Sequence, residues 1–400
     1  MNFEFSEEVI MIRDSVRKFA TEKIRPEAEK LDKNEEFSPG LTKQMGDLGL
    51  FGMFLPEKYG GVGLGYLEYI VAVEEIARID GSQAATLAAH NSLGIGPIYY
   101  YGTEEQKEKY LPPLTTGEHL WAFGLTESDA GSDAGGTKTS AVRSVKAGNP
   151  WVLNGSKIFI TNGSSPITMG STVQAVTGIK QFGKKEYTCF LVNSGTEGFE
   201  TRTMHEKMMW RASNTAELFF DDVLVPKKNM LGKQGEGFHI MLDTLDRGRL
   251  SIAAMGLGAA QGALDLSLKY AKDRYQFKKP ISTFQGTAFK LSDMAVEIEA
   301  ARNLLYKAAW LCDNNMDFKK QAAMAKLYCS EVAHRCVNNA VQIHGGYGLM
   351  KEYEVERLYR DQRILEIGEG TSEIQRLVIA RYLGCFDTDK KGENKSEKDI

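Results

Sequence analysis

Several features common in proteins are missing from this 400-residue chain. No apolar run approaches the ~18 uninterrupted residues of a membrane-spanning helix, so none is expected. Cysteine is scarce: Cys189, Cys312, Cys329, Cys336 and Cys385 lie far apart, with no CxxC pair. An odd, dispersed set of this kind excludes a disulfide framework and fits a reducing compartment. Charge of one sign is not in excess either. Forty-nine basic against 53 acidic residues leave a net charge of −4, which gives no broad basic field for a nucleic-acid backbone or an anionic lipid surface. The sequence holds no GxxxxGK(S/T) loop, no GxSxG elbow and no HExxH. His90, His119, His205, His239, His334 and His344 are spread without a pair at metal spacing and read as packing or hydrogen-bonding residues. Phosphate-loop, nucleophile-elbow and zinc chemistry therefore drop out, leaving a bound organic cofactor or a carboxylate to do the work. The opening Met1-Asn2-Phe3-Glu4-Phe5 carries neither a signal peptide's basic n-region nor an Arg-rich leader. This predicts a cytoplasmic protein, or a mature mitochondrial-matrix form whose leader has been removed.

What is present is an ordinary globular mixture, 42% hydrophobic and 26% charged, long enough for two to three domains. Ser6 followed by Glu7 and Glu8 predicts a helix start. Val9, Ile12, Val16, Phe19, Ala20 and Ile24 keep helical spacing up to Pro26, which is expected to stop the helix. Helical pattern fills much of 41–115, with a glycine-rich loop at 60–65. From 121 the pattern changes. Residues 151–163 give β-type runs divided by two Asn-Gly pairs that predict tight hairpin turns. Residues 187–192 and 216–225 read as further strands, and helical periodicity returns from about 235 to 384. The expectation is an α+β chain: an N-terminal helical domain over 1–120, a middle β domain over 121–232 and a C-terminal helical bundle over 233–385. A tail over 386–400 has nine charged residues in its last fourteen and is expected to be disordered.

Three segments suggest a site. Glu369 stands between Gly368 and Gly370, ahead of a helix for which Ser372 and Gln375 have capping-box spacing. The loop from Phe123 to Asp133 is rich in hydroxyls and small residues, which lets backbone N–H groups approach a ring or phosphate. Gln342 to Gly348 contains three glycines and allows close approach or ends a helix. Each alone is equally an ordinary loop. Together with Lys157-x-Phe159-Ile160-Thr161-Asn162, Met209-x-Arg211-x-Ser213-x-Thr215, Asp246-Arg247-Gly248-Arg249 and Arg274-x-x-Phe277-x-x-Pro280-Ile281-x-x-Phe284-Gln285, they resemble the acyl-CoA dehydrogenase family. The motifs run in family order over about residues 5–384, closest to the short- and medium-chain, butyryl-CoA dehydrogenase-like branch.

That resemblance implies the same helix–sheet–bundle order, non-covalent FAD, a homotetramer and electron-transferring flavoprotein as electron acceptor. It also implies FAD-dependent conversion of short- to medium-chain acyl-CoA to trans-2-enoyl-CoA, within fatty-acid β-oxidation. By position, Phe123, Leu125, Thr126, Gly131, Ser132, Phe159, Ile160 and Thr161 would line the flavin ring. Arg274, Phe277, Gln285, Gln342, Ile343, His344, Gly345 and Gly346 would reach the rest of the cofactor across subunits, and Thr371 and Glu373 would contact it too. Ser132, Asp246, Arg249 and Gly370 would contact acyl-CoA. Glu369 would be the catalytic base, burial raising its pKa toward the working range. A second family position for the base falls on Gly248, which has no side chain to offer.

Three departures accompany the match. Gly368 replaces an aromatic beside the base, Lys278 replaces a glycine, and Phe159 stands where some relatives have tryptophan. The segment 81–103, which by family position lines the acyl pocket, contains no Lys, Arg, Asp or Glu; a substrate with a distal carboxylate would find no cation there. Small residues at Ala84, Ala85, Thr86, Ala88 and Ala89 suit an unbranched tail, or equally a neighbouring helix. The competing readings are an acyl-CoA oxidase that passes electrons to oxygen, a DNA-associated relative and a non-catalytic acyl-CoA-binding relative.

Overall fold

A computed structural model describes residues 5–145 and 148–386. Beyond Phe386 the charged tail lies outside the described residues. The chain opens with α1 (Glu7–Phe19), capped as expected by Ser6 Oγ, which accepts from Val9 N at 3.2 Å. Pro26 does not stop it. The backbone widens into a π turn over Ala20–Ile24 and continues as α2 (Arg25–Asn34), with Pro26 in the first turn of α2. A proline is tolerated there, because the donor it lacks has no obligatory partner at a helix start and the widened turn clears its ring. α3 (Pro39–Asp47) and α4 (Tyr66–Ala77) follow, then α5 (Gly81–Ala89), a second π turn at His90–Ile95, α6 (Gly96–Tyr101) and α7 (Glu104–Thr115).

The strands are β1 (Leu120–Gly124), β2 (Ser140–Arg143), β3 (Trp151–Thr161), β4 (Thr168–Ile179), β5 (Lys185–Asn193), β6 (Phe199–Thr203), β7 (Thr215–Val225) and β8 (Met230–Leu231). They form one sheet in the order β6-β7-β3-β2-β4-β5-β8. β1 runs parallel to β4, as does β2, and the remaining pairs are antiparallel. The hairpin expected at Asn154–Gly155 is absent: β3 passes straight through both residues. Its register against β7 slips between Leu153 and Gly155, a bulge in which Gly155 takes φ +141°. A Cβ there would lie 2.6 Å from Thr139 Oγ1, so the glycine serves the approach of a neighbouring segment, not a turn. Asn162–Gly163 does end β3, in a longer loop to β4.

The C-terminal half is built on α8 (Gly237–Asp273), followed by a small hairpin of β9 (Tyr275–Gln276) and β10 (Lys279–Pro280). Then come α9 (Gln285–Asp313), α10 (Lys319–His344), α11 (Glu354–Asp361) and α12 (Ser372–Tyr382). The apolar interior has two parts. One is shared by the N-terminal helices and the bundle and includes Phe51, Tyr69, Leu250, Leu257, Ile298 and Val337. The other lies within the sheet around Trp151, Leu153, Phe190 and Phe220. The Asp313 carboxylate at the end of α9 accepts from Tyr66 N and Leu67 N at 2.6 and 3.0 Å. It thereby caps α4, so the two helical regions share hydrogen bonds as well as a core.

Candidate active site

Glu369 sits in a short loop between a 3₁₀ turn (Gln362–Glu366) and α12. Its backbone is left-handed (φ +52°) and Gly370 follows at φ +92°, so two successive positive φ values swing the carboxylate away from the helix it precedes. The cap of α12 is shifted by one from the spacing-based expectation. Thr371 Oγ1, not Ser372, accepts from Ile374 N at 3.2 Å. Gln375 therefore closes no box. Its amide donates to Glu369 O at 3.2 Å and Gly370 O at 2.9 Å, and Lys326 Nζ donates to Gly370 O at 2.6 Å. The main chain around the carboxylate is thus held by two donors from the bundle.

The side chain itself is held by none. The residue as a whole is half-buried, but Oε2 is inaccessible and has no hydrogen-bond partner among the described residues. Burial pushes the Glu369 carboxyl up to about 7, against the pull of Lys326 and Arg249. Space for it comes from α8: a Cβ on Gly248 would stand 2.0 Å from Glu369 Oε2 and 3.3 Å from Leu93 Cδ2. The missing side chain at 248 is what admits the carboxylate at 369.

Next to Gly248 on α8, Arg249 Nη1 forms a short ion pair with Asp246 Oδ1, one turn back. Lys319 Nζ of α10 reaches Asp246 Oδ2 at 3.1 Å and Asp243 Oδ1 at 3.2 Å. The structure therefore brings Asp246, Arg249, Glu369 and Gly370 to one place between α8, α10 and the 369 loop. The uncharged segment 81–103 packs on the same region through Leu93. Ala84, Ala85, Thr86 and Ala88 are buried inside the fold. The segment is not wholly without a cation, because the Arg247 guanidinium stacks 4.1 Å over the Tyr100 ring, paired with Asp243.

A second group of predicted residues lies on the sheet. Phe123 lies near the end of β1, which meets the His90–Ile95 turn where Trp121 N donates to His90 Nδ1 at 3.1 Å. That turn carries Leu93, so β1 adjoins the Glu369 pocket. The loop from Leu125 to Ser132 is fixed by a buried ion pair that composition alone did not single out. Lys157 Nζ lies 2.8 Å from Glu127 Oε1 and donates to Leu125 O at 3.1 Å. Glu127 also accepts from Lys138 N and Thr139 N at 2.7 and 3.0 Å. Ile158 N donates to Thr126 O at 3.0 Å, joining this loop to β3. At the same place the β3–β7 register slips between Lys157 and Ile160, and Phe159 turns outward with φ +61° and 62% of its surface exposed. An aromatic in a strained backbone conformation, facing outward from the strand whose Ile158 N holds Thr126 O, offers a surface on which a planar ring can lie. A flavin fits it.

The third group is elsewhere. Arg274 follows the last residue of α8, 25 residues after Arg249 and therefore about 37 Å further along the helix. Its guanidinium lies 5.6 Å over the Tyr347 ring. Phe277 and Lys278 form the turn of the β9–β10 hairpin, both at positive φ, with Phe277 87% exposed. Gln285, Gly345 and Gly346 are exposed too, whereas Ile343 and His344 are buried, the His344 ring stacked 4.3 Å on Tyr270. Thr371 is spent on its cap, and Glu373 lies exposed in the first turn of α12. Within one chain Arg274, Phe277 and Gln285 lie apart from the Glu369 pocket, whereas Thr371 and Glu373 adjoin it at the start of α12.

Sequence reasoning missed Lys326 and Gln375. Lys326 had a signal: it keeps helical spacing with Ala322, Cys329 and Ala333, all buried, so it falls on the inner face of α10. Gln375 had none, because its role depends on the cap starting at Thr371.

Comparison with known proteins bears on the whole chain. The N-terminal, middle and C-terminal domain models of acyl-CoA dehydrogenase match residues 6–118, 122–223 and 235–384. The chain is 52% identical over 383 residues to "Probable acyl-CoA dehydrogenase YngJ" of Bacillus subtilis (strain 168), covering 96% of this chain and 100% of that protein. The three-dimensional structure of butyryl-CoA dehydrogenase from Megasphaera elsdenii superposes with a TM-score of 0.92 at 43% identity, covering 96% of this chain and 100% of that one. An acyl-CoA dehydrogenase from Bacillus anthracis complexed with FAD superposes with a TM-score of 0.89 at 38% identity, covering 96% and 68%.

Proposed function

The chain belongs to the acyl-CoA dehydrogenase family, and from that premise we propose that it oxidises short- to medium-chain acyl-CoA thioesters to trans-2-enoyl-CoA, with Glu369 as the base. The family is FAD-dependent. Bound FAD supplies an acceptor for the hydride lost from the β-carbon. Everything else in the reaction falls to groups of this chain.

The observation that carries the reading is the Glu369 carboxylate: buried, without a hydrogen-bond partner, pushed up to about 7, and seated in the space that Gly248 leaves. A carboxylate saturated with donors would be too weak a base for an α-proton of a thioester. One that lacks them and titrates near neutrality is matched to the task. Gln375 and Lys326 hold the main chain of 369 and 370 in place, so the carboxylate meets the α-carbon without first paying for an ordering of its loop. Negative charge that develops on the thioester oxygen as the proton leaves would be met by the N–H of Glu369. Asp246, Arg249, Ser132 and Gly370 would bind and orient acyl-CoA.

Phe123, Leu125, Thr126, Gly131, Ser132, Phe159, Ile160 and Thr161 would hold the flavin ring, with Thr371 and Glu373 beside it. Arg274, Phe277, Gln285 and the run from Gln342 to Gly346 would complete the site from a second copy of the chain. The separation of about 37 Å along α8 supports that division. We take the assembly to be a tetramer and the electron acceptor to be electron-transferring flavoprotein. Chain length is the open variable of the pocket, and buried small residues on α5 favour an unbranched acyl tail.

The test is anaerobic titration of the purified protein with butyryl-, octanoyl- and isovaleryl-CoA while its visible flavin band is followed. Bleaching by one chain-length class is the expected result. A flavin that stays oxidised with every thioester would overturn the proposal, and rapid oxygen consumption under air would replace the dehydrogenase reading with an oxidase.

A further inference from the structure

The inner face of α10 is made of small apolar residues, with Ala322, Ala325, Cys329, Ala333 and Cys336 all inaccessible. Lys326 stands among them and is equally inaccessible. Burying an ammonium costs several kcal/mol unless charge or strong acceptors meet it, and a methionine of similar length would fill the same volume at no such cost. Among the described residues the ammonium has one hydrogen bond, to Gly370 O at 2.6 Å. Gly370 is the residue directly after Glu369, and the same carbonyl takes the Gln375 amide at 2.9 Å.

We propose that Lys326 is a positioning residue for Glu369: it grips the carbonyl that follows the base and brings its charge to bear on the carboxylate. The proposal rests on the reading of Glu369 as the base. Three groups face that carboxyl from the packed elements: Lys326 on α10 and Arg249 on α8 favour its charge, while buried Tyr69 on α4 is neutral. Lys326 in turn faces Glu369, Arg249, Glu366 and Glu373. Burial pulls the ammonium down to about 8, and Glu369 is the largest influence holding it up. Each charge therefore sustains the other. Arg249 is already engaged by Asp246, so the cation committed to the 369 loop is Lys326.

Two variants separate grip from charge. Lys326→Gln keeps an N–H donor near Gly370 O but removes the charge, and Lys326→Met removes both. The readout is the Glu369 titration itself, followed without substrate as the infrared band of its protonated carboxyl and assigned by its loss in Glu369→Gln. In both variants the midpoint should rise by about one pH unit or more, and the pH profile of flavin bleaching should move with it. A reciprocal measurement leaves residue 326 untouched: coupling between two titrating groups is mutual, so the Lys326 ¹³Cε titration should fall by a similar amount in Glu369→Gln. This arm decides the matter if the variants at 326 do not fold. An unmoved Glu369 midpoint in folded Lys326→Gln, or an unmoved Lys326 midpoint in Glu369→Gln, would overturn the proposal. Absence of bleaching in the unaltered protein would instead overturn the reading of Glu369 as the base, because the infrared and NMR arms need no turnover.

Discussion

Gly248→Ala adds one methyl group to the interior of α8, and the consequence can be worked from the geometry. Alanine is the better helix former, so the backbone should gain up to about 1 kcal/mol. The new carbon would stand 2.0 Å from Glu369 Oε2 and 3.1 Å from Glu369 Cδ. Such contacts do not fall below about 3 Å in close-packed interiors, so the carboxylate must retreat by about 1 Å. The main chain cannot follow, because Gln375 and Lys326 tether the carbonyls of 369 and 370. The carboxylate therefore rotates out of line. A misplacement of about 1 Å at a reacting group costs on the order of 100-fold, equivalent to about 2.7 kcal/mol of barrier. The expected variant is a well-folded flavoprotein, at least as heat-stable as the parent, that is reduced by acyl-CoA about 100-fold more slowly. Single-turnover flavin reduction under anaerobic conditions measures the rate; flavin content and a thermal melt establish integrity. Reduction at the parental rate would show that Glu369 does not work from the position Gly248 makes for it.

Other outcomes follow from the same geometry. Glu369→Gln should retain FAD yet lose at least 100-fold in reduction by acyl-CoA, the usual scale of a general base; appreciable bleaching would remove Glu369 from the mechanism. Because the base works ionised and its carboxyl is pushed up to about 7, the reduction rate should rise with pH through neutrality and level above it, and a falling profile would contradict the assignment. Lys157→Met strands the buried Glu127 carboxylate without its cation, which should cost about 3–5 kcal/mol and lower FAD retention; adding Glu127→Gln should restore part of the stability seen by chemical denaturation. Gly155→Ala forces a methyl group to within 2.6 Å of Thr139 Oγ1 at φ +141°, a strain of about 1–3 kcal/mol that a lowered melting temperature should report.

The order of helices, strands and helices was legible because it follows local periodicity, and Ser6 was legible because a cap is a three-residue interaction. Three misreadings share one cause. Pro26, Asn154–Gly155 and Ser372 each carry a strong local signal that a neighbouring element overrides: a π turn clears the proline, Thr139 presses on Gly155, and Thr371 takes the cap so that Gln375 can serve the loop before it. At the site, the resemblance pointed to Glu369, to its burial and to the bare position at Gly248, but the contacts among them were not legible. The lack of a partner for Oε2, its fit against Gly248 and the reach of Lys326 all depend on α8 and α10 meeting the 369 loop, and no window of sequence contains all three.

The unbroken length of α8 sets a limit on how this protein can be re-engineered. Its 37 residues run without a loop from ahead of Asp246 and Arg249 to Asp273, with Arg274 directly after. Inserting or deleting one residue inside it would turn one end by about 100° and slide it about 1.5 Å relative to the other, unhitching both termini from their partners at once. Libraries that vary chain length should therefore spare 237–273 and place their insertions in the loops between the strands.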